Sequence, residues 1–226
     1  MSELLLVRHA QASYGTDDYD RLSELGHRQA QWLGEYFKDR RLSFDRIVCG
    51  RMVRHRETAA GIFRGMDFEP DNVESDPCWN EFDFETLTRA YLDQYPDKAP
   101  PPGAPVGSFT RLLRNSIEAW AEDRISSPLP ERWADFEDRV RKGLRTLAAV
   151  SGERQRLLVV SSGGAISMAL RHVLQAPASA MVQMNLQMRN SSVNHLYFNA
   201  HSMHFAGFNH TPHLDDPARA ESLTYY

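Results

Sequence analysis

Cysteine is scarce in this chain: 226 residues carry only Cys49 and Cys78. Two cysteines make no disulfide framework, and their spacing offers no C-x-x-C metal or redox pair. Both are therefore expected as reduced, partly buried thiols. Long apolar runs are missing as well. None approaches the roughly 20 residues that span a bilayer, and the first one breaks off at Arg8-His9, unlike a secretory leader. Positive charge is also short, with 26 Lys and Arg against 30 Asp and Glu and a formal net charge of -4. No global basic field recruits nucleic acid. Neither nucleic acid nor membrane is expected as a partner, and the cytoplasm is the default location.

Several familiar signatures are absent too. The chain has no GxxxxGK[ST] phosphate loop, no GxGxxG dinucleotide fingerprint, no GxSxG elbow and no HExxH zinc helix. The tail is rich in histidine (His201, His204, His210, His213), but acidic ligands do not accompany it in a metal-binding pattern. No metal or organic cofactor is expected.

What is present alternates in a regular way. Leu4 to Val7 is a short continuous apolar run, as in a central strand covered on both faces. Ser23 then caps a helix in which Ala30, Leu33, Gly34 and Phe37 recur at helical spacing, ending near Lys38 to Arg41. Phe44 to Cys49 reads as a second strand, followed by a turn at Gly50-Arg51 and a helix carrying Thr58, Ala59 and Phe63. Leu157 to Val160 is a later strand; it stops at Ser161-Ser162-Gly163-Gly164, and helical spacing resumes through Ile166, Leu170 and Val173.

Strand, tight turn and helix thus occur three times. This predicts a three-layer α/β/α fold with a mostly parallel central sheet. Lys98 to Val106 is proline-rich and breaks any regular element. A further helix is expected over Trp133 to Val150, and residues 84–132 read as a helical cap insertion near the active site. One domain over 1–226 accommodates all of this.

The chemistry-bearing groups sit where strands end, which in such folds is where ligands bind. Arg8 and His9 follow the first strand. A guanidinium can grip phosphate oxygens, and an imidazole can attack phosphorus. Arg54 follows the second strand, although Arg51, Arg54 and Arg56 could equally form a solvated face. Glu81, between Trp79 and Phe82, is a candidate proton donor because partial burial raises a carboxyl pKa; Asp83, Glu85 and Glu74 compete with it. Ser162 and Gly163 can offer donors to an anion at a helix start. For His27, His55 and His172, packing or exposure is the simpler reading. Trp79, Trp120 and Trp133 read as core or pocket walls.

Taken together these segments resemble the histidine phosphatase (phosphoglycerate mutase-like) superfamily. Leu5-Leu6-Val7-Arg8-His9-Ala10 is similar to its opening Arg-His-Gly motif, with Ala10 in place of glycine. Leu22-Ser23-Glu24-Leu25-Gly26 with Gln29-Ala30 resembles the usual entry to the first helix. Arg54 through Glu57-Thr58-Ala59 resembles a segment that commonly reads Arg-Ala-x-Gln-Thr-Ala. Glu81-Phe82 corresponds to the acid-base glutamate, and Asn209 to Leu214 resembles a closing Asn-Asp-x-x-His-Leu pattern.

The resemblance implies that His9 becomes transiently phosphorylated and that Glu81 serves as acid and then base. Arg8 and Arg54, with Ser162 and Gly163, would bind the phosphoryl group. One departure stands out: the usual Ser-His-Gly-Gly reads Ser161-Ser162-Gly163-Gly164, so a hydroxyl replaces the second imidazole. Losing one charge-assisted hydrogen bond costs about 1.5–3 kcal/mol, or roughly 10- to 150-fold in rate, unless His210 or a water stands in.

The expected function is a phosphatase acting on a phosphomonoester, either a phosphorylated small molecule or a phosphoprotein. A phosphate-ligand or phosphoprotein-binding module with little turnover is the main alternative. A phosphoglycerate mutase fits less well, given Ser162 and the short insertion. A homodimer through an exposed strand edge or helix is compatible with the chain.

Overall fold

The computed structural model describes residues 1–13, 20–150 and 154–225. These residues build a six-stranded sheet of order β3-β2-β4-β1-β5-β6. Its strands are β1 (Ser2–Arg8), β2 (Arg46–Cys49), β3 (Glu74–Ser75), β4 (Arg156–Ser161), β5 (Val193–Phe198) and β6 (Met203–His210). The pairings of β1 with β4, β2 with β4 and β2 with β3 are parallel. Those of β1 with β5 and β5 with β6 are antiparallel, so β5 alone runs against the rest.

The unbroken apolar run of β1 follows from its place between β4 and β5, where both faces are covered. Leu4 and Leu6 point into one core with Leu157 and Val159. Leu5 and Val7 point into the other with Leu158 and Val160. Helices α1 (Glu24–Asp39) and α2 (Val53–Met66) cover the second face through Leu33, Phe37, Ala59 and Ile62. The first face carries α3 (Phe84–Gln94), α4 (Val106–Ala121), α5 (Trp133–Val150), α6 (Gly163–Leu174) and α7 (Ala178–Gln187). This is the expected three-layer α/β/α arrangement with a mostly parallel sheet.

The caps explain where helices begin. Ser23 Oγ accepts from the Gly26 N–H at 3.0 Å and starts α1. Asp83 does the same for α3 through the Thr86 N–H at 2.9 Å. Helix α2 has no side-chain cap of its own; Asp20 Oδ2 accepts the Val53 N–H at 2.8 Å instead.

The expected strand over Phe44 to Cys49 starts later, at Arg46: the Asp45 N–H donates to the Arg156 carbonyl at 2.9 Å, and Asp45 Oδ2 accepts from the Arg156 N–H at 2.8 Å. The proline-rich stretch separates α3 from α4, the two helices of the insertion. That insertion packs beside the acid segment: the Phe82 ring lies 5.1 Å from Trp120 of α4 and 5.5 Å from Phe136 of α5. Trp79 is fully buried and Trp120 nearly so, in keeping with a role as walls. No described helix is long and apolar enough to cross a membrane.

Candidate active site

Register brings the candidate residues to one rim. Arg8 pairs with Ser161 across β1 and β4, and Cys49 pairs with Val160 across β2 and β4. Three strands therefore end side by side, and each hands the chain to a segment carrying a polar group. The His9 N–H donates to the Ser161 carbonyl at 2.8 Å, and the Gly50 N–H to the Val160 carbonyl at 3.0 Å.

His9 is 4% exposed. Its Nδ1 lies 2.8 Å from the Ala10 carbonyl oxygen, which can only accept. Nδ1 therefore carries the proton, and the lone pair sits on Nε2. Burial first, then the charges of Arg54 and Arg8, hold this imidazole well below its usual range, so it is neutral at neutral pH. Thr58 steadies the next residue: its Oγ1 accepts from the Ala10 N–H at 3.0 Å and donates to the Arg54 carbonyl at 2.7 Å.

Behind His9 a second set of bonds holds the loop. Its carbonyl accepts from the Ser191 N–H at 3.2 Å and from Asn190 Nδ2 at 3.3 Å. Asn190 is tied in turn to Thr224, which donates its hydroxyl to Asn190 Oδ1 at 2.9 Å. Buried Gln29 accepts from the Gln11 N–H and donates to the Ser222 carbonyl at 2.7 Å.

Arg54 is 3% exposed, so it is not part of a solvated face. Its Nη1 donates to Asp20 Oδ1 at 2.8 Å. Arg8 Nη1 donates to the Met188 carbonyl. Glu81 is partly buried; Oε2 accepts from the Gly164 N–H at 3.0 Å and Oε1 from the Phe82 N–H at 3.1 Å. Burial pushes its carboxyl pKa up, against the pull of these two N–H groups and of Arg54 and Arg8. The charges of both arginines thus act on His9 and on Glu81 alike.

Two of the competing carboxylates are engaged elsewhere. Glu74 takes both its hydrogen bonds from Arg46, and Asp83 caps α3. Among the described residues, no group of three or more His, Cys, Asp or Glu is placed to hold a metal ion.

Ser162 and Gly163 open α6 beside this cluster. A Cβ built on Gly163 would lie 3.6 Å from Arg8 Nε. Ser162 Oγ lies 2.7 Å from Nε2 of His55, a fully buried histidine on α2. The His55 and His9 ring centroids are 5.9 Å apart. His210, the stand-in considered from sequence, is exposed at the end of β6, and His55 is what meets Ser162. Sequence reasoning passed over His55. The available signal was a pair of departures, His for Ala after Arg54 and Ser for His after Ser161.

Residues 4–211 match the histidine phosphatase superfamily (branch 1). The chain belongs to that superfamily. Among curated relatives, it is 31% identical over 80 residues to the mitochondrial serine/threonine-protein phosphatase Pgam5 of Drosophila grimshawi, covering 34% of this chain and 28% of that protein. A longer match to the Drosophila mojavensis protein of the same name has 26% identity over 192 residues, 81% of this chain and 54% of the relative. The matched part thus spans about half or less of these relatives' length.

Solved structures extend the likeness of fold. The α-ribazole phosphatase of Shigella flexneri superposes with a TM-score of 0.65 at 20% identity, over 92% of this chain and 96% of that one. The phosphoserine phosphatase of Entamoeba histolytica in complex with 3-phosphoglyceric acid gives 0.67 at 19%, over 95% and 100%. The phosphoglycerate mutase of Bacillus anthracis gives 0.68 at 16%, over 97% and 96%.

Proposed function

We propose that this histidine phosphatase hydrolyses a phosphomonoester through a phosphohistidine formed on His9. The observation that carries the reading is the tautomer of His9: Nδ1 is committed to the Ala10 carbonyl, so a neutral ring offers the Nε2 lone pair. That lone pair attacks phosphorus. The ester P–O bond breaks, and its electron pair takes the proton from Glu81, whose raised pKa favours the acid form. Arg8 and Arg54 stabilise the equatorial oxygens as charge builds on them, with Ser162 and Gly163 at the α6 start as further donors.

In the second half the Glu81 carboxylate accepts a proton from water, the water oxygen bonds to phosphorus, and the N–P bond breaks. Phosphate leaves, and His9 and Glu81 return to their starting forms. The chemistry needs no metal, because the two guanidiniums supply the positive charge. The names of the relatives span protein and small-molecule phosphatases, so the substrate class is a phosphorylated small molecule or a phosphoprotein. The buried free thiols Cys49 and Cys78 support placement in a reducing compartment such as the cytoplasm.

Rapid-quench reaction with p-nitrophenyl phosphate tests the reading. We expect turnover and a phosphorylated His9 by mass spectrometry, both lost in His9→Ala. Turnover that survives His9→Ala overturns it. Vanadate binding without turnover or labelling would favour a phosphate-binding module.

A further inference from the structure

His55 has an expensive environment for a purely structural residue. It is fully buried, and its Nδ1 meets only the Gly50 backbone, without the geometry of a full hydrogen bond. Buried polar atoms in native proteins are nearly always satisfied, and an exception calls for a reason. The chain also makes room for the ring: a Cβ at Gly50 would lie 2.2 Å from His55 Nδ1. Ser162 tells the same story from its own side. It stands at the N-cap of α6, where a serine ordinarily turns its oxygen back onto the helix N–H groups, but its side chain makes no such cap. Its hydroxyl faces His55 Nε2 at 2.7 Å instead.

We propose that His55 is a positioning residue for phosphoryl transfer, acting through Ser162 to supply what a second imidazole at position 162 would otherwise donate. His55 in the Nε2–H tautomer donates to Ser162 Oγ. That fixes the hydroxyl's acceptor side, and the Ser162 O–H is left to point at a phosphoryl oxygen beside His9. The imidazole has been moved from the α6 start to α2, and the serine bridges the gap. The inference rests on the phosphatase reading for its role but not for its test, which has a binding arm.

The test uses the full chain, with kcat/KM for p-nitrophenyl phosphate and calorimetric affinity for orthovanadate as separate readouts. His55→Phe keeps a ring and removes the donor; Ser162→Ala removes the bridge. Each is expected to lower both readouts by roughly 10- to 150-fold, the worth of one hydrogen bond to a charged group. The double variant should be no worse than either single one, because both remove the same contact. His55→Gln, which can present an N–H near the Nε2 position, should recover part of the loss. His55→Ala combined with Ser162→His should exceed His55→Ala alone.

Vanadate affinity and kcat/KM within twofold of the starting protein in His55→Phe would overturn the proposal, as would fully additive losses. Should His55→Phe fail to fold, His55→Asn, whose amide lies near the Nδ1 position and leaves the Nε2 donor missing, takes its place in the cycle with Ser162→Ala. Wild-type protein that binds vanadate without turnover sinks the phosphatase reading, while the vanadate arm still judges the pair. Protein that does neither sinks both.

Discussion

The Gly164 N–H donates to Glu81 Oε2 at 3.0 Å, and a Cβ built on Gly164 would lie 2.2 Å from Glu81 Oε1 and 2.6 Å from the Phe82 ring. The second glycine of the turn is therefore a fitting for the acid. Gly164→Ala should displace Glu81 and lower kcat/KM for an alkyl phosphate by about 10²-fold, the low end of what general acid catalysis contributes. Steady-state kinetics alongside a thermal melt check this, and unchanged kinetics in a folded variant would refute the fitting.

Glu81 itself should show a dependence on the leaving group. An alkoxide needs its proton, whereas a nitrophenolate leaves almost unaided. Glu81→Gln is expected to cost about 10²- to 10⁴-fold in kcat/KM on alkyl phosphates and much less on p-nitrophenyl phosphate. Because burial raises the carboxyl pKa, the acid form persists above the ordinary carboxylate range and then declines. The wild-type kcat/KM for alkyl esters should thus fall as pH rises through that pKa, and the fall should vanish in the variant. Equal losses on both ester types would remove Glu81 from the role.

Asp20 joins two tasks, capping α2 at Val53 and holding Arg54. Asp20→Ala should lower unfolding free energy by about 0.5–2 kcal/mol through the lost cap. It should also raise KM for phosphate esters, since Arg54 loses one of its anchors. A stability loss with unaltered KM would separate the two tasks and confine Asp20 to the helix start.

Stability should fall in mild acid. His213 is 3% exposed, and burial followed by Arg219 holds its pKa down from 6.5 to about 3. A histidine kept neutral in the fold stabilises it fully above the unfolded pKa, and the contribution is lost as pH drops from 6.5 towards 3. At pH 5 the loss reaches about 2 kcal/mol for this residue alone. His9 and His55 are depressed for the same reason and add in the same direction. Urea midpoints between pH 7 and pH 4.5 should decline, and His213→Gln should flatten the slope by about one proton. An identical slope in the variant would contradict the assignment.

Much of the fold was legible in the sequence because its signals are local. The apolar run at Leu4 to Val7, the Ser23 cap and the Trp133 to Val150 periodicity each depend on neighbours a few residues away. The structure gathers Arg8, His9, Arg54 and Ser162 at or just beyond the ends of neighbouring strands, with Glu81 against the α6 turn. What stayed hidden depends on contacts across the chain. His55 reads as one more helical histidine until β2 and β4 pair and bring the start of α2 beside Ser162. Asp20 is an ordinary acidic residue in a turn until Arg54 arrives beside it. The reversed strand β5 carries the same alternating pattern either way, so its direction could not be read from residues alone.

The backing of the 9–11 loop is spliced from segments far apart in sequence: Gln29 and Asn190, which brace it, are themselves clasped by Ser222 and Thr224. A change at Ser222 or Thr224 should consequently be felt at His9 without altering any group proposed to meet phosphate.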